Sequence, residues 1–302
     1  MISIVITIYK EPWVWIRESI QSILNQTFRD IQIILVVDNP NFEFSEELND
    51  LLVGSKTRYK ILNNKSNFGL VKSLNIGLKN SDGDYVARMD SDDVAEPDRF
   101  EMQMKFLTQN SLDFVSSNIS KINERGEIYD VIKLNQSIYE KKLMKIERHQ
   151  NIFWHPTWLA RKQVYERLHG YRNIDFAEDY DFVIRALLNG FRLGQLKQPL
   201  VRKRINNNSI SEVNALKQIV TANELAKGFR KKTIVSDNIN EDIPDQKIKE
   251  FSQIKRLFVG RKSSSFSTRI KLWWLLLLTH TGHLFLKNVL IQKYQLHLMG
   301  LS

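Results

Sequence analysis

The first third of the chain alternates between two hydrophobic patterns. Residues 2–8 form a continuous, largely β-branched run (Ile2-Ser3-Ile4-Val5-Ile6-Thr7-Ile8), which predicts a strand buried on both faces. The run ends at Tyr9-Lys10-Glu11-Pro12, and Pro12 suits the start of a helix. Residues 13–26 then carry Ile16, Ile20, Ile23 and Leu24 at helical spacing. The alternation continues with a strand over 31–37 that stops at Asp38-Asn39-Pro40, a helix over 44–53 and a strand over 59–62. The turn Asn67-Phe68-Gly69, a helix over 70–78 and a strand from Tyr85 follow. This order predicts a mostly parallel sheet with helices on both faces. Ligands of such sheets bind beyond the carboxyl ends of the strands. Thr7, Tyr9, Asp38, Asp90 and Asp92 all stand at those ends and are expected to share one edge.

Past residue 90 the pattern predicts a helix over 99–107 and a hairpin of strands 114–122 and 127–132 around Asn123-Glu124-Arg125-Gly126. A basic amphipathic helix over 137–148 comes next, then an aromatic-rich turn and strand over 151–158. A short helix over 162–168 ends at Gly170, a natural C-cap. A helix over 180–188 and strands over 191–196 and 200–205 complete the α/β part. Beyond Ser211 the chain reads as helical, basic and strand-free, with a polar stretch over 237–245 and helices over 247–259 and from Arg269. The expected organisation is an α/β domain over 1–211 and a helical C-terminal extension over 212–302.

Charge sharpens that division. The chain carries a net charge of +10, yet 14 Lys/Arg and 5 Asp/Glu lie from Leu225 onward, so the part before it is nearly neutral. From Phe251 there are 8 basic residues and no acidic one. The segment Leu272-Trp273-Trp274-Leu275-Leu276-Leu277-Leu278 is apolar for seven residues, far short of the roughly 20 a spanning helix needs. Tryptophan and leucine on a basic helix fit an anionic membrane surface; the competing reading is a helix packed on the sheet domain or a partner. Residues 1–7 lack the charged start of a signal peptide, so a cytoplasmic protein at the inner face of the membrane is expected. No cysteine is present, which removes disulfides and thiolate chemistry.

Two acidic clusters carry the candidate chemistry. Asp90-Ser91-Asp92-Asp93 crowds three carboxylates at the end of an apolar strand. Such groups repel one another and resist burial, so the strand is expected to end at a cation or at water. Asp90 and Asp92 can reach one divalent ion, and hard oxygen ligands suit Mg2+ or Mn2+. Taken alone, the cluster reads more readily as an acidic turn capping the helix that begins near Pro97. Glu178-Asp179-Tyr180-Asp181 opens a helix, where acidic residues are favoured by capping and the macrodipole alone.

The ordered set of segments resembles the family 2 glycosyltransferases. The resemblance rests on residues 3–11, on Ser22-Ile23-Leu24-Asn25-Gln26-Thr27-Phe28, on the Asp38 turn, and on Asn67-Phe68-Gly69 with Asn75-Ile76-Gly77. It continues through Asp90-Ser91-Asp92-Asp93 with Pro97-Asp98-Arg99, then His155-Pro156-Thr157, Gly170-Tyr171 and Glu178-Asp179-Tyr180-Asp181. It implies a GT-A, Rossmann-like fold, a nucleotide-diphospho-sugar donor (a UDP-sugar being expected), and inversion at the anomeric carbon. By that resemblance Asp38 accepts from the nucleobase with Thr7 and Tyr9 beside it, Asp90 contacts the ribose or the metal, Asp92 is the main metal ligand, and Asp179 is the general base. Glu11, Asn67, Lys72 and Arg204 are placed in the donor set, and Glu178 with His155 on the acceptor side. His155 among Trp154, Pro156 and Trp158 reads more readily as a packed histidine than as a catalyst.

Three departures stand out. Asn39-Pro40 replaces the usual Asp-Gly-Ser continuation; Asn206 stands where relatives often have histidine; and no Gln-x-x-Arg-Trp segment is present. The last points to transfer of a single sugar to a glycan or lipid-linked acceptor, in bacterial surface polysaccharide synthesis. Two other classes compete. A nucleotidyltransferase would be expected to carry a Gly-rich loop after the first strand, and Tyr9-Lys10-Glu11-Pro12-Trp13 has no glycine. A non-catalytic nucleotide-binding protein docked on a membrane is the other. Nucleic acid is not an expected partner.

Overall fold

The computed structural model describes residues 1–42, 46–174, 176–205, 214–236, 243–259, 272, 275–277 and 279–299. Asn206, Trp273 and Trp274 lie outside them, as does the start of the helix expected from residue 44. The N-terminal half runs β1 (Ile2–Ile8), α1 (Trp13–Leu24), β2 (Ile31–Val37), α2 (Glu46–Gly54), β3 (Arg58–Asn63), α3 (Leu70–Lys79) and β4 (Tyr85–Asp90). Then come β5 (Val94–Ala95), α4 (Arg99–Gln109), β6 (Phe114–Ile122), β7 (Ile128–Val131), β8 (Ile138–Tyr139) and α5 (Glu140–Glu147). A 3₁₀ turn (His155–Thr157), β9 (Leu159–Arg161), α6 (Lys162–Arg167), α7 (Glu178–Leu188) and β10 (Leu193–Arg204) complete the sheet domain.

All ten strands join one sheet in the order β3-β2-β1-β4-β9-β6-β10-β5, with β7 on β6 and β8 on β10. β1, β2, β3 and β4 pair in parallel, as do β6 and β10, while β9 runs antiparallel between β4 and β6. Side-chain alternation assigns the two faces. Ile2, Ile4, Ile6 and Ile8 of β1 pack with α1, α2 and α4, whereas Val5 turns to the opposite core with α3, α5, α6 and α7. Both faces are covered, which is why these strands read as continuous apolar runs.

Four elements differ from the sequence reading. The helix expected from residue 137 begins at Glu140, because Ile138 and Tyr139 pair with Gln195 and Gly194 of β10. The strands expected over 191–196 and 200–205 are one strand, irregular around Pro199, which has no N–H to give a ladder. The strand expected within 151–158 is the 3₁₀ turn, with Pro156 early in it, and pairing starts only at Leu159. The two-residue β5, not anticipated, joins the acidic turn to β10 through Ala95–Val201 and Val94–Arg202.

Helix α7 is fixed from three directions. Asp181, 1 % exposed, accepts from Arg172 Nε at 3.1 Å and Arg185 Nε at 2.8 Å, and also pairs with Arg172 Nη2. Arg185 in turn donates to the carbonyls of Leu168 and Gly170 at 2.8 and 2.9 Å. Gly170 has φ +72°, and a Cβ there would sit 2.3 Å from Asn75 Oδ1. That close approach lets Asn75 hold Tyr171 through both its N–H and its C=O, each at 2.9 Å. From outside, Leu225, Ala226 and Phe229 of the C-terminal helix Ala215–Arg230 pack on Ile174, Ala177, Tyr180 and Ile184. The further helices Asp245–Val259 and His280–Met299 share a core with Leu216 built from Phe251, Ile254, Leu272, Leu276 and Phe285. No helix among the described residues is long and apolar enough to cross a membrane.

Replacing Asp181 with alanine leaves the buried Arg185 facing no carboxylate. The expected loss is about 3–5 kcal/mol of unfolding free energy, read by chemical denaturation. Urea midpoints within error of wild type would contradict this account of how α7 is held.

Candidate active site

The strand order reverses at β1, which has β2 on one side and β4 on the other. Such a reversal opens a crevice at the carboxyl ends. In register, Thr7 lies level with Asp90 and with Val36, so the expected edge is formed. Tyr9 and Glu11 follow directly, with the Tyr9 N–H donating to Glu11 Oε2 at 2.7 Å. Asp38 is buried at this edge, where its Oδ1 accepts from Asn64 Nδ2 and from the Phe68 N–H, both at 2.7 Å. Its Oδ2 accepts from the Gly69 N–H at 2.8 Å. Asp38 therefore organises the loop that carries Asn67, and Lys72 follows on the first turn of α3, 6.0 Å from the Phe68 ring.

At the end of β4, the nearest ligand atoms of Asp90, Asp92 and Asp93 lie within 4.8 Å of one another. A buried cation and a part-buried one offset this charge. Arg88, on the same strand face two residues earlier, pairs with Asp90 Oδ1. Lys203 of β10 lies 3.4 Å from Asp90 Oδ2 and 3.9 Å from Asp93 Oδ2. Burial acts to raise the Asp90 carboxyl, but Arg88 and Lys203 overcome it and hold the group below the usual carboxylate range. Asp92 is pushed up to about 6 by burial and by the Asp90 charge. Asp93, fully buried, is raised well above its ordinary value by burial against the pull of Lys203.

The three carboxylates do different work. Asp93 Oδ1 accepts the Arg204 N–H at 2.8 Å, which ties β10 to the turn. Asp90 and Asp92 are only partly buried and face the crevice. Hard oxygen donors placed this way fit a divalent cation such as Mg2+ or Mn2+. Arg204, expected among the donor contacts, is committed elsewhere. Its guanidinium donates to the carbonyls of Asp92, Asn123 and Glu124 and to Glu18 Oε2, and it stacks 5.1 Å from the Trp15 ring. Arg202 likewise forks onto Glu96 at 2.7 and 2.8 Å. The basic residue that enters the cluster is Lys203. Neighbours in a strand point to opposite sides, so of three consecutive basic residues the middle one was the signal.

The second acidic pair lies at the first turn of α7. Asp179 accepts from the Tyr180 N–H at 2.6 Å and from Asn151 Nδ2 at 3.1 Å. A helix start favours an ionised carboxylate, but burial outweighs these donors and the Asp179 carboxyl is raised. Glu178 is raised further, to about 8, by burial and by the Asp179 charge. His155 is packed rather than open. Its ring lies 4.5 Å from that of Trp158, Nε2 meets Tyr171 Oη at 2.9 Å, and Nδ1 is 3.9 Å from Glu178 Oε1. Burial and the Arg88 charge push its pKa well below the usual value, so it is neutral. Arg88 links the two acidic groups, since its charge favours the ionised forms of Asp90, Glu178 and Asp179 alike. Glu147, unanticipated, is fully buried, accepts the Ile152 N–H at 2.9 Å and is raised well above its normal range by burial.

Residues 3–168 match the family model described as glycosyl transferase family 2. An uncharacterised glycosyltransferase of Methanocaldococcus jannaschii is 31% identical over 208 residues, covering 68% of this chain and 71% of that protein. The O-antigen biosynthesis glycosyltransferase WbnJ of Escherichia coli is 30% identical over 246 residues, covering 78% and 92%. A UDP-Gal:alpha-D-GlcNAc-diphosphoundecaprenol beta-1,3-galactosyltransferase of Escherichia coli is 28% identical over 224 residues, covering 72% and 79%. The fold is that of Staphylococcus aureus TarS, whose residues 1–349 with UDP-GlcNAc superpose at a TM-score of 0.58 and 16% identity, covering 99% of this chain and 81% of that 1–349 chain. With its parallel sheet, its acidic strand end and these relatives, the chain belongs to the family 2 glycosyltransferases and has their GT-A fold.

Proposed function

We propose that this glycosyltransferase moves one sugar, with inversion, from a UDP-sugar to a hydroxyl of a lipid-linked or glycan acceptor in bacterial surface polysaccharide assembly. One observation carries the reading. The acidic end of β4 pairs with one buried guanidinium, Arg88, whose charge also reaches the acidic start of α7. That is the arrangement needed to hold a diphosphate leaving group on one side and a base on the other. The activities of WbnJ and of the lipid-linked galactosyltransferase support the setting, and the UDP and UDP-GlcNAc complexes of TarS support the donor class.

On the donor side, Asp38 Oδ2 accepts one hydrogen bond and has capacity for another, from a nucleobase N–H. Thr7, Tyr9 and Glu11 line the same edge, and Asn67 and Lys72 stand on the loop and helix beyond it. Asp92, with Asp90, would hold Mn2+ or Mg2+, which when bound supplies Lewis-acid stabilisation of the charge developing on the departing diphosphate. Arg204 serves the donor side indirectly, by fixing the Asp92 carbonyl.

On the acceptor side, the acceptor O–H bond breaks as its oxygen attacks the anomeric carbon, and the proton passes to Asp179. The bond from that carbon to the diphosphate oxygen breaks with its electron pair going to the diphosphate. Two N–H donors favour the carboxylate form of Asp179, whereas Glu178 at about 8 holds its proton at neutral pH. Asp179 is thus the base and Glu178, beside His155, an acceptor contact. A single base with direct attack gives inversion, without the second carboxylate of a covalent route.

The C-terminal helices suit an anionic membrane surface, where a lipid-linked acceptor would be met, at the inner face of the cell membrane. No acidic residue follows Phe251, and Leu277, Leu290 and Tyr294 are exposed.

Asp179→Asn is expected to lower kcat about 10²–10⁴-fold while donor binding stays close to wild type. Asp92→Ala is expected to abolish the response of turnover to added Mn2+. Full activity of either variant against a UDP-sugar and acceptor panel would remove its assigned role. The pH dependence of stability follows from Glu178, which keeps its proton to about 8 in the folded chain but releases it near 4.5 when unfolded. The folded state binds more protons in that window, so Glu178 makes stability fall as pH rises from about 4.5 to 8. Glu178→Gln should flatten the fall in thermal midpoint over that range. An unchanged slope would show that Glu178 titrates normally.

A further inference from the structure

Lys203 is not explained by the reaction just described. Its side chain lies between two of the three clustered carboxylates, with Nζ at 3.4 Å from Asp90 Oδ2 and 3.9 Å from Asp93 Oδ2. The other oxygen of Asp90 is taken by Arg88. Asp93 Oδ2 is buried and has no hydrogen-bond partner among the described residues, so Lys203 is the charge that answers it. Yet the lysine is not sealed in, as 26% of its side chain is exposed, compared with none of Asp93. It reaches the crevice from β10 while the carboxylates reach it from β4.

Counting charges shows what this does. Asp90, Asp92 and Asp93 bring at most three negative charges, and Arg88 and Lys203 bring two positive ones. A divalent cation added to this set alone leaves an excess positive charge at a partly buried site, where like charges are costly. A divalent cation added together with a diphosphate does not. One oxygen of Asp90 is also shared between the ammonium and any incoming ion. We propose that Lys203 is a positioning residue, a built-in counter-cation that occupies Asp90 until the donor arrives and then turns its ammonium to the diphosphate, so that divalent cation and nucleotide sugar bind together rather than in sequence.

This rests on the reading of Asp90 and Asp92 as the cation site. A lysine that only balanced Asp93 would have no effect on the interplay of cation and nucleotide, so that interplay is the quantity to measure. Mn2+ binding to the full chain is followed by electron paramagnetic resonance, with and without saturating UDP, in wild type, Lys203→Met and Lys203→Arg. Wild type is expected to bind Mn2+ weakly alone and much more tightly with UDP. Lys203→Met should bind Mn2+ alone at least about tenfold more tightly than wild type, and the gain from UDP should shrink by a similar factor. Its kcat/KM for the donor should fall even as cation affinity rises, because the diphosphate loses a positive contact. Lys203→Arg keeps the charge and should behave as wild type. Thermal melts of each variant confirm that folded protein is being compared. Equal Mn2+ affinity of wild type and Lys203→Met, with UDP-dependent binding intact, overturns the proposal and leaves the cation site standing. Absence of Mn2+ binding in all three proteins even with UDP overturns both.

Discussion

Three carboxylates within four residues cannot end a buried strand unless cations are brought to them, and much of the architecture around β4 meets that requirement. Arg88 is supplied by the strand itself, two residues back on the same face. Lys203 arrives from β10, which the chain reaches more than a hundred residues later. Delivering Lys203 to Asp90 requires β10 to be anchored against the acidic turn. Two bonds do this, from the Arg204 N–H to Asp93 and from the Arg204 guanidinium to the Asp92 carbonyl. Beneath the strand a further buried guanidinium, Arg99, donates to the Arg88 carbonyl at 2.8 Å and to Gln103 at 3.1 Å. Burial lowers its pKa to about 9, which still leaves it charged at neutral pH. Arg88, Arg99, Lys203 and Arg204 are thus spent on shaping one strand end, and only Lys203 among them keeps a substantial exposed portion.

The same logic sorts the acidic residues of α7. Asp181 is consumed by Arg172 and Arg185 and serves to fix the helix. Glu178 and Asp179, one turn earlier, receive no such full partner. They are part-buried and, among the described residues, without neutralising salt bridges of their own, and both carboxyls rise as a result. The distinction separates a carboxylate that fixes the helix from the two proposed for the chemistry. Behind them an aromatic wall of Trp158, Tyr171, Phe182 and Tyr165, with ring centroids 4.9 to 6.2 Å apart, excludes water from one side. His155 belongs to that wall, where its ring bridges Tyr171 and Glu178.

What could be read from the sequence follows the physics of each signal. β1, β2 and β4 were legible because strands buried on both faces must be apolar throughout, and their carboxyl ends could then be aligned by eye. The acidic clusters were legible because crowded charge is rare without a purpose. The two-residue strands β5 and β8 were not, since each is defined by a partner strand distant in the chain, and the aromatic run that reads as a strand hid the local 3₁₀ turn at His155. The roles of Arg204 and Lys203 were hidden for a related reason. The resemblance placed Arg204 on the donor side, but the direction each basic residue points depends on strand parity and on Trp15 and Glu18, which lie near the other end of the domain's sequence. The raised carboxyl of Asp179 was hidden too. A helix start lowers such a group when exposed, and burial, which reverses the sign here, is a property of the assembled fold.

The first of the C-terminal helices bears on the proposed base through packing. Ile174, Ala177, Tyr180 and Ile184 form the outer face of α7 and its approach, and they are covered by Leu225, Ala226 and Phe229. Arg230 adds a bond to the Arg148 carbonyl at 2.7 Å, and the Tyr180 hydroxyl donates to the Glu147 carbonyl on the same side. Without helix Ala215–Arg230, the residue that follows Asp179 would stand on an uncovered apolar surface. The helix that begins the basic tail is therefore part of the core that holds the proposed base in place. A chain cut near residue 211 would lose that cover from α7 while leaving the edge at β1 and β4 intact, because none of the described tail residues packs into the cores beneath those strands.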